Sequence, residues 1–162
     1  MTDQRIRVLL AEDEANLSQI LTTFLRGRGY EVTPCPNGRE ALECLRAETY
    51  DVALLDIVMP ELDGLEVLRA VRAEPEPPEV IIITGNGTIE TAITAMKLGA
   101  YDYLSKPYRM AEIDVLVRRA WEKKQLSREN ALLQDRLSRV AGVPEVLTRH
   151  PPMQAVLSLI ER

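Results

Sequence analysis

Short apolar stretches alternate along the chain with longer segments in which apolar residues recur every three or four positions. The short stretches are residues 6–11, 30–33, 51–55, 80–83 and 101–104. Their length is typical of strands, whereas the periodicity of the longer segments predicts helices. Strands that alternate with helices in this way pair in parallel, with helices on both faces of the sheet. We therefore expect an α/β fold, a doubly wound five-stranded parallel sheet of flavodoxin-like size, with an extended C-terminal helix.

Prolines and glycines separate the predicted elements. Those expected to break the chain are Pro34, Pro36, Gly38, Pro60 and Gly64. Asn37 is a residue type that often caps the first turn of a helix. Residues 52–55 and 80–83 are uninterrupted apolar runs, which are typical of central strands covered on both faces.

Polar and charged side chains follow four of the five predicted strands. They are Glu12 and Asp13 after the first strand, Asp56 after the third, Thr84 after the fourth, and Ser105 and Lys106 after the fifth. Because the carboxyl ends of parallel strands meet at one edge of a sheet, we expect these groups to lie close together. Clustered carboxylates repel each other, and oxygen ligands without Cys or His suit Mg²⁺. A carboxylate, a lysine, a hydroxyl and Mg²⁺ together suit phosphoryl transfer onto the carboxylate.

Each of these residues also has a plainer interpretation. Glu12 and Asp13 could favour the N-terminus of the following helix through its dipole. Asp56 could be a turn residue, and Thr84 could bond the backbone at a strand end. Lys106 could be a surface lysine in front of a break in the chain. The shared edge of the sheet favours a single site over four separate explanations.

Four motifs, in order, resemble the receiver domain of bacterial two-component response regulators. They are residues 10–14, residues 55–60 with Asp63 and Gly64, residues 83–85, and Lys106-Pro107. The resemblance covers about residues 4–122 and implies the receiver fold. It also implies that a sensor histidine kinase donates a phosphoryl group to Asp56.

The resemblance assigns a role to each matching residue. Asp13 would bind Mg²⁺ directly, Glu12 directly or through water, and Asp56 and the backbone carbonyl of Val58 would complete the protein ligands. Lys106 would pair with the phosphoryl group, with a cis bond to Pro107, and Thr84 would donate a hydrogen bond to a phosphoryl oxygen. Tyr103 matches the switch aromatic that turns inward as Thr84 moves; a half-buried tyrosine on an edge strand is the alternative.

Two other functions are compatible with parts of the same pattern. A phosphatase of the haloacid dehalogenase type usually has a second aspartate two residues after the nucleophile, and here that position is Val58. We therefore expect a signalling domain with self-catalysed phosphotransfer and autodephosphorylation, and no enzyme. A degenerate receiver that docks a partner without phosphorylation is the other alternative, and the intact acidic, threonine and lysine positions argue against it.

The last predicted helix continues past the receiver. Residues 113–137 contain neither Gly nor Pro. A seam with alternating spacings of four and three consists of Leu126, Asn130, Leu133, Leu137 and Val140. Asn130 at an a position favours a parallel two-stranded coil, although an amphipathic helix packed on its own domain fits the same pattern. We expect a homodimer through helix four, strand five, helix five and this linker.

Residues 142–162 resemble, over a short stretch, the opening of the AAA+ module in NtrC-type, sigma-54-dependent activators. The predicted organisation is a receiver at 1–122, a helical coiled-coil linker at 123–141, and the start of a truncated AAA+ module at 142–162. The ATPase and DNA-binding parts of such an activator would lie outside this sequence.

Composition limits the other possibilities. The chain has 20 basic and 25 acidic residues, net charge −5, which argues against direct binding of nucleic acid or an anionic membrane. Cys35 and Cys44 have no histidine nearby and form neither a zinc pattern nor a disulfide scaffold. The N-terminal residues carry no apolar targeting run. We expect a soluble protein of the reducing cytoplasm.

Overall fold

The computed structural model describes residues 4–85 and 87–141. The chain divides into two units, Met1–Lys124 and Gln125–Arg162. The first unit contains the sheet, and the second is described as far as residue 141, entirely as helix. The predicted start of an AAA+ module at 142–162 lies outside the described residues, and the predicted domain boundaries stay predictions.

Five strands and five helices alternate along the described part of the chain. They are β1 (Arg7–Ala11), α1 (Ala15–Gly27), β2 (Glu31–Cys35), α2 (Gly38–Ala47), β3 (Val52–Asp56), α3 (Gly64–Arg72), β4 (Glu79–Thr84), α4 (Ile89–Lys97), β5 (Asp102–Ser105) and α5 (Met110–Ala141). All neighbouring strands pair in parallel, in the order β2-β1-β3-β4-β5. The predicted doubly wound five-stranded sheet is confirmed, and so is the extended last helix.

The strand order places a crevice at the carboxyl edge of the sheet. The chain passes from β1 outward to β2 and then returns to the other side of β1 as β3. Loops leave in opposite directions at such a reversal, and ligands of open α/β sheets bind there. The register keeps the strand ends level, because Ala11 pairs with Leu55 and Thr84 pairs with Ser105.

Two apolar layers cover the sheet, because successive side chains of a strand point to opposite faces. Leu9, Leu55 and Ile82 pack with buried residues of α2, α3 and α4. Leu10 and Leu54 pack on the other face with buried residues of α1 and α5. Every residue of β3 is buried, as its uninterrupted apolar sequence predicts. The central strands therefore form a firm support for the groups at their ends.

Three expected breaks belong to regular elements instead, and one of them, Gly38, is the first residue of α2. Pro34 lies within β2, paired in register with Leu10. Because β2 is an edge strand, the missing N–H of proline is tolerated there. Gly64 is the first residue of α3, which Asp63 caps by accepting a hydrogen bond from Glu66 N at 2.8 Å. Asn37 does cap α2, accepting from Glu40 N at 2.8 Å.

Helix α4 presents most of its apolar side chains to the surface. Ile89, Ile93 and Met96 are exposed, whereas Ala95 is the buried residue of the helix. The apolar spacing predicts the helix, but it does not mark the face that packs on the sheet. None of the helices within residues 4–85 and 87–141 is both long and apolar enough to cross a membrane.

Candidate functional site

Three carboxylates meet at the carboxyl edge of the sheet. Glu12 and Asp13 directly follow β1, and Asp56 is the last residue of the adjacent strand β3. One carboxylate oxygen from each residue lies within 4.8 Å of the other two. Glu12 and Asp56 are buried, whereas Asp13 is exposed. The cluster therefore has two buried carboxylates and one that is open to solvent.

Lys106 brings a positive charge to this cluster from the segment after β5. Its Nζ donates to Asp56 Oδ2 at 2.8 Å and to Glu12 Oε2 at 3.2 Å. Its backbone N–H donates to Thr84 O at 2.7 Å, which holds the lysine against the end of β4. The Lys106–Pro107 peptide bond is cis, as the family resemblance implied. The site thus gathers three acids and one ammonium group.

Backbone amides orient both buried carboxylates. Val58 N donates to Asp56 Oδ1 at 3.1 Å, and Glu14 N donates to Glu12 Oε1 at 3.1 Å. Each buried acid therefore has one oxygen bonded to a following amide and the other bonded to Lys106. The Val58 side chain is 62% exposed at the mouth of the site, and the predicted role of its carbonyl stays a prediction.

Burial changes the protonation of the cluster. Burial of Glu12, together with the neighbouring Asp56, raises the pKa of the Glu12 carboxyl to about 7, although the Glu14 amide and Lys106 oppose this rise. Burial lowers the pKa of Lys106, but its hydrogen bond to Asp56 and the charges of Asp56 and Glu12 outweigh that effect and raise it. Lys106 therefore stays charged near neutral pH, while Glu12 is divided between its two protonation states.

Thr84 ends β4 beside Lys106, and Tyr103 lies on the neighbouring strand β5. Thr84 is 1% exposed. A Cβ added to Gly87 would stand 2.0 Å from the Tyr103 hydroxyl oxygen and 3.1 Å from Thr84 Cγ2. The Tyr103 hydroxyl therefore lies directly over Gly87, beside Thr84. That hydroxyl is buried and has no hydrogen-bond partner within the described residues. The switch role predicted for the pair stays a prediction.

The structure thus brings Glu12, Asp13, Asp56, Thr84 and Lys106 to one edge of the sheet. Gly87 was not anticipated: the sequence marks it only as a turn residue between Gly85 and β-branched Thr88. Its lack of a side chain makes room for the Tyr103 hydroxyl. An open cleft of about 490 Å³ lies next to Glu12 and Asp13, bounded by α1 and the end of β2.

Comparison with known proteins decides the family. The family model of the response regulator receiver domain matches residues 8–118. The chain belongs to this family. The resemblance inferred from the four motifs is therefore confirmed, and the chain is a two-component signalling domain.

Several curated relatives align over most of the chain. Regulatory protein AtoC of Escherichia coli is 34% identical over 93% of this chain and 32% of its own length. A putative NtrX-like response regulator of Rickettsia bellii is 37% identical over 82% of this chain and 28% of its own. Transcriptional regulatory protein ZraR of Escherichia coli is 32% identical over 99% of this chain and 35% of its own length. The chain spans about a third of the length of these regulators. Its sequence similarity to them confirms the expected NtrC-type relationship.

Solved structures show the same fold. NtrX from Brucella abortus has a TM-score of 0.74 at 30% identity, covering 82% of this chain and 31% of that one. The Francisella response regulator 1452 receiver domain has a TM-score of 0.70 at 31% identity, covering 74% and 98%. An isolated receiver domain therefore matches almost in full, whereas a whole regulator matches over about a third.

Replacing Glu12 with glutamine tests the burial of this carboxyl group. The folded chain holds the Glu12 proton more tightly than the unfolded chain, so the free energy of unfolding falls as pH rises from 4.5 to about 7. A pKa shift of one unit corresponds to about 1.4 kcal/mol. Across that pH range we therefore expect the free energy of unfolding to fall by about 2–3 kcal/mol more in the wild-type chain than in Glu12→Gln. Urea unfolding in EDTA at acidic and mildly alkaline pH measures the difference.

Glu14→Gln is the matched control, because Glu14 is exposed and only its backbone amide contacts Glu12. It keeps the pH dependence of the wild-type chain. Equal pH dependence in wild-type and Glu12→Gln chains would contradict the raised pKa of Glu12.

Proposed function

We propose that this chain is the phosphorylation-controlled receiver of a two-component system and that a sensor histidine kinase donates the phosphoryl group to Asp56. One observation carries the proposal: the Asp56 carboxylate is buried against Lys106 Nζ at 2.8 Å, with Glu12 and Asp13 within 4.8 Å. An ordinary buried ion pair needs no further acids. The excess of negative charge beside Asp56 suits a site that receives a cation and a phosphoryl group.

The proposed transfer needs no other nucleophile. A carboxylate oxygen of Asp56 forms a bond to phosphorus as the bond from phosphorus to the donor breaks and its electron pair leaves with the donor. Lys106 already contacts Asp56 Oδ2, so its ammonium group is placed to offset charge on the phosphoryl oxygens. The product is an aspartyl phosphate, which hydrolysis would return to the free carboxylate.

The residues of the cluster fit a hard divalent cation. Their ligand atoms are carboxylate oxygens, with neither sulfur nor imidazole among them, and such a set suits Mg²⁺. Glu12, Asp13 and Asp56 would hold the ion together with the Val58 carbonyl. When bound, Mg²⁺ supplies positive charge that offsets the carboxylates and the incoming phosphoryl oxygens.

The proposed response is a shift in the segments after β4 and β5. A phosphoryl group adds roughly −1.5 to −2 charge and three acceptor oxygens, for which Thr84 and Lys106 are the nearby donors. The Tyr103 hydroxyl lies beside Thr84, so movement of Thr84 would change the space that is available to the Tyr103 side chain. The surface formed by α4, β5 and the start of α5 would then differ between the two states.

Dimerisation is the proposed output of this change. The surface of α4 exposes Ile89, Ile93 and Met96, and Val115 of α5 is 45% exposed. The later part of α5 exposes Leu126, Leu133, Leu137 and Val140. These four belong to the predicted heptad seam, so a second copy of α5 would cover them.

The wider context is also a proposal. Because relatives about three times as long contain a matching segment, we infer that the receiver regulates a sigma-54-dependent transcriptional activator with AAA+ and DNA-binding domains. The receiver itself would bind no nucleic acid, in keeping with its net charge of −5.

Asp56→Asn tests the proposed phosphoacceptor. We expect wild-type chain incubated with Mg²⁺ and acetyl phosphate to gain the mass of one phosphoryl group, and Asp56→Asn to gain none, because an amide does not form an acyl phosphate. Intact-mass spectrometry measures both. Asp102→Asn is the control, since it alters an aspartate on β5 outside the cluster and keeps full phosphorylation.

The outcome also separates the alternatives. Absence of any adduct on wild-type chain would support a receiver that acts without phosphorylation. Rapid consumption of acetyl phosphate over many turnovers would support a phosphatase. An adduct that persists on Asp56→Asn would place the phosphoryl group elsewhere and contradict the proposal.

Leu133→Glu tests the proposed linker dimer. The charge falls on the predicted seam, so we expect the mass in solution of phosphorylated chain to drop from dimer to monomer. Leu132→Glu is a closely matched control, because Leu132 is 59% exposed on the same helix, next to Leu133 at 47%, but lies off the seam. Sedimentation velocity measures the masses. A monomeric wild-type chain, with and without phosphorylation, would exclude the dimer.

A further inference from the structure

A pair of thiols lies close to the acidic cluster and has no part in the proposed phosphotransfer. Cys35 is the last residue of β2, and Cys44 lies on α2. Their Sγ atoms are 3.9 Å apart, and both cysteines are free. They are the two cysteines of the whole chain. Nothing in the sequence pattern required them to meet, because a strand and a helix separated by a turn can place such residues on different faces.

We propose that Cys35 and Cys44 form a redox-modifiable site that closes reversibly into an intramolecular disulfide while the receiver stays folded. The sulfur atoms need to approach by about 2 Å to reach the bonded distance of about 2.05 Å. Cys35 lies on an edge strand, where a small shift disturbs the fewest backbone hydrogen bonds. Strand β2 has a neighbour on one side only, and a two-residue connection, Pro36 and Asn37, joins it to α2.

The two thiols differ in access. Cys44 is partly exposed, whereas Cys35 is 3% exposed. Burial and the neighbouring Cys44 raise the pKa of the Cys35 thiol to about 12. The thiolate is the species that attacks an oxidant, so Cys44 is the entry point and Cys35 the resolving thiol.

A low-molecular-weight disulfide is a sufficient oxidant. The Cys44 thiolate attacks one sulfur of that disulfide, forming a mixed disulfide and releasing one small thiolate. Cys35 then loses its proton and attacks Cys44 Sγ, which forms the internal S–S bond and expels the second small thiolate. Two protein thiols are oxidised, one small disulfide is reduced to two small thiolates, and these take up the two protons that the protein thiols lose.

The surroundings connect this pair to the proposed phosphorylation site. Glu12 N donates to Cys35 O at 3.1 Å. At the start of α2, a Cβ added to Gly38 would stand 2.0 Å from Leu62 O, so that helix packs tightly on the loop that follows Asp56. The disulfide would therefore link β2, which accepts a hydrogen bond from the Glu12 backbone, to α2, which packs on the loop after Asp56. Thiol oxidation is measured independently of phosphoryl transfer, so the two proposals can fail separately.

A glutathione titration of the full chain tests the proposal. The chain is equilibrated without oxygen at rising ratios of oxidised to reduced glutathione, free thiols are alkylated after acid quenching, and non-reducing intact mass counts them. We expect folded chain to pass from two alkylated thiols to none, at monomer mass, with an unchanged circular dichroism spectrum. Half oxidation should need a ratio about tenfold lower than for the same chain in denaturant, because the fold brings the sulfurs together. Dithiothreitol should restore both thiols.

Single-cysteine variants identify the order of the steps. Cys35→Ala should stop at one glutathione adduct on Cys44, whereas Cys44→Ser should react at least about tenfold more slowly, because its remaining thiol is buried. Cys35→Ala removes a core side chain. If Cys35→Ala does not fold, the slow reaction of Cys44→Ser is enough to identify Cys44 as the entry point. A folded wild-type chain that needs a higher ratio than unfolded chain, stops at a glutathione adduct, or pairs only between molecules would overturn the proposal.

Discussion

Electrostatic repulsion among three carboxylates at one edge of a parallel sheet is the constraint on which the site depends. Glu12, Asp13 and Asp56 are close because β1 and β3 are neighbours that end at the same level. Moving carboxylates from water into such a cluster costs free energy unless a positive charge compensates for it. Lys106 compensates part of the charge, and its contacts to Asp56 and Glu12 leave the cluster short of positive charge. That shortage is the basis of the proposal that this edge receives a cation and a phosphoryl group.

The rest of the fold holds these groups in place. The central strands are buried on both faces by α2, α3 and α4 on one side and α1 and α5 on the other. This packing supports the ends of β1 and β3, and amides of Val58 and Glu14 orient the buried acids there. The groups proposed to respond belong to the other side of the site, on β4, β5 and the segments after them. An oriented acceptor beside segments that are proposed to move is an arrangement suited to a switch.

Much of this architecture could be predicted from the sequence, because parallel strands leave unusually plain patterns. The uninterrupted runs of β3 and β4 indicate strands buried on both faces, and polar residues immediately after them identify the functional edge. The roles proposed for Asp56 and Lys106 come from the family motifs, whereas the meeting of the two side chains is seen in the structure. Position within a local pattern was enough for these residues, since chain order and strand order together determine which ends meet.

Other features depend on contacts that no local pattern encodes. Pro34 looks like a break, yet it lies in β2 because that strand is at the edge of the sheet. Apolar spacing predicts α4 but not the exposure of Ile89, because tertiary packing decides which face of a helix is buried. The space that Gly87 gives to Tyr103, and the 3.9 Å separation of Cys35 and Cys44, follow from how distant segments pack.

Thermal unfolding in rising concentrations of MgCl₂, at constant ionic strength, tests most directly whether the acidic cluster is a divalent-cation site. Binding to the folded state alone raises stability by RT ln(1 + [Mg²⁺]/Kd). The melting temperature of wild-type chain should therefore climb steadily with Mg²⁺ concentration, and that of Asp13→Asn should change far less. A wild-type melting temperature that ignores Mg²⁺, or one that rises equally in Asp13→Asn, would contradict the account.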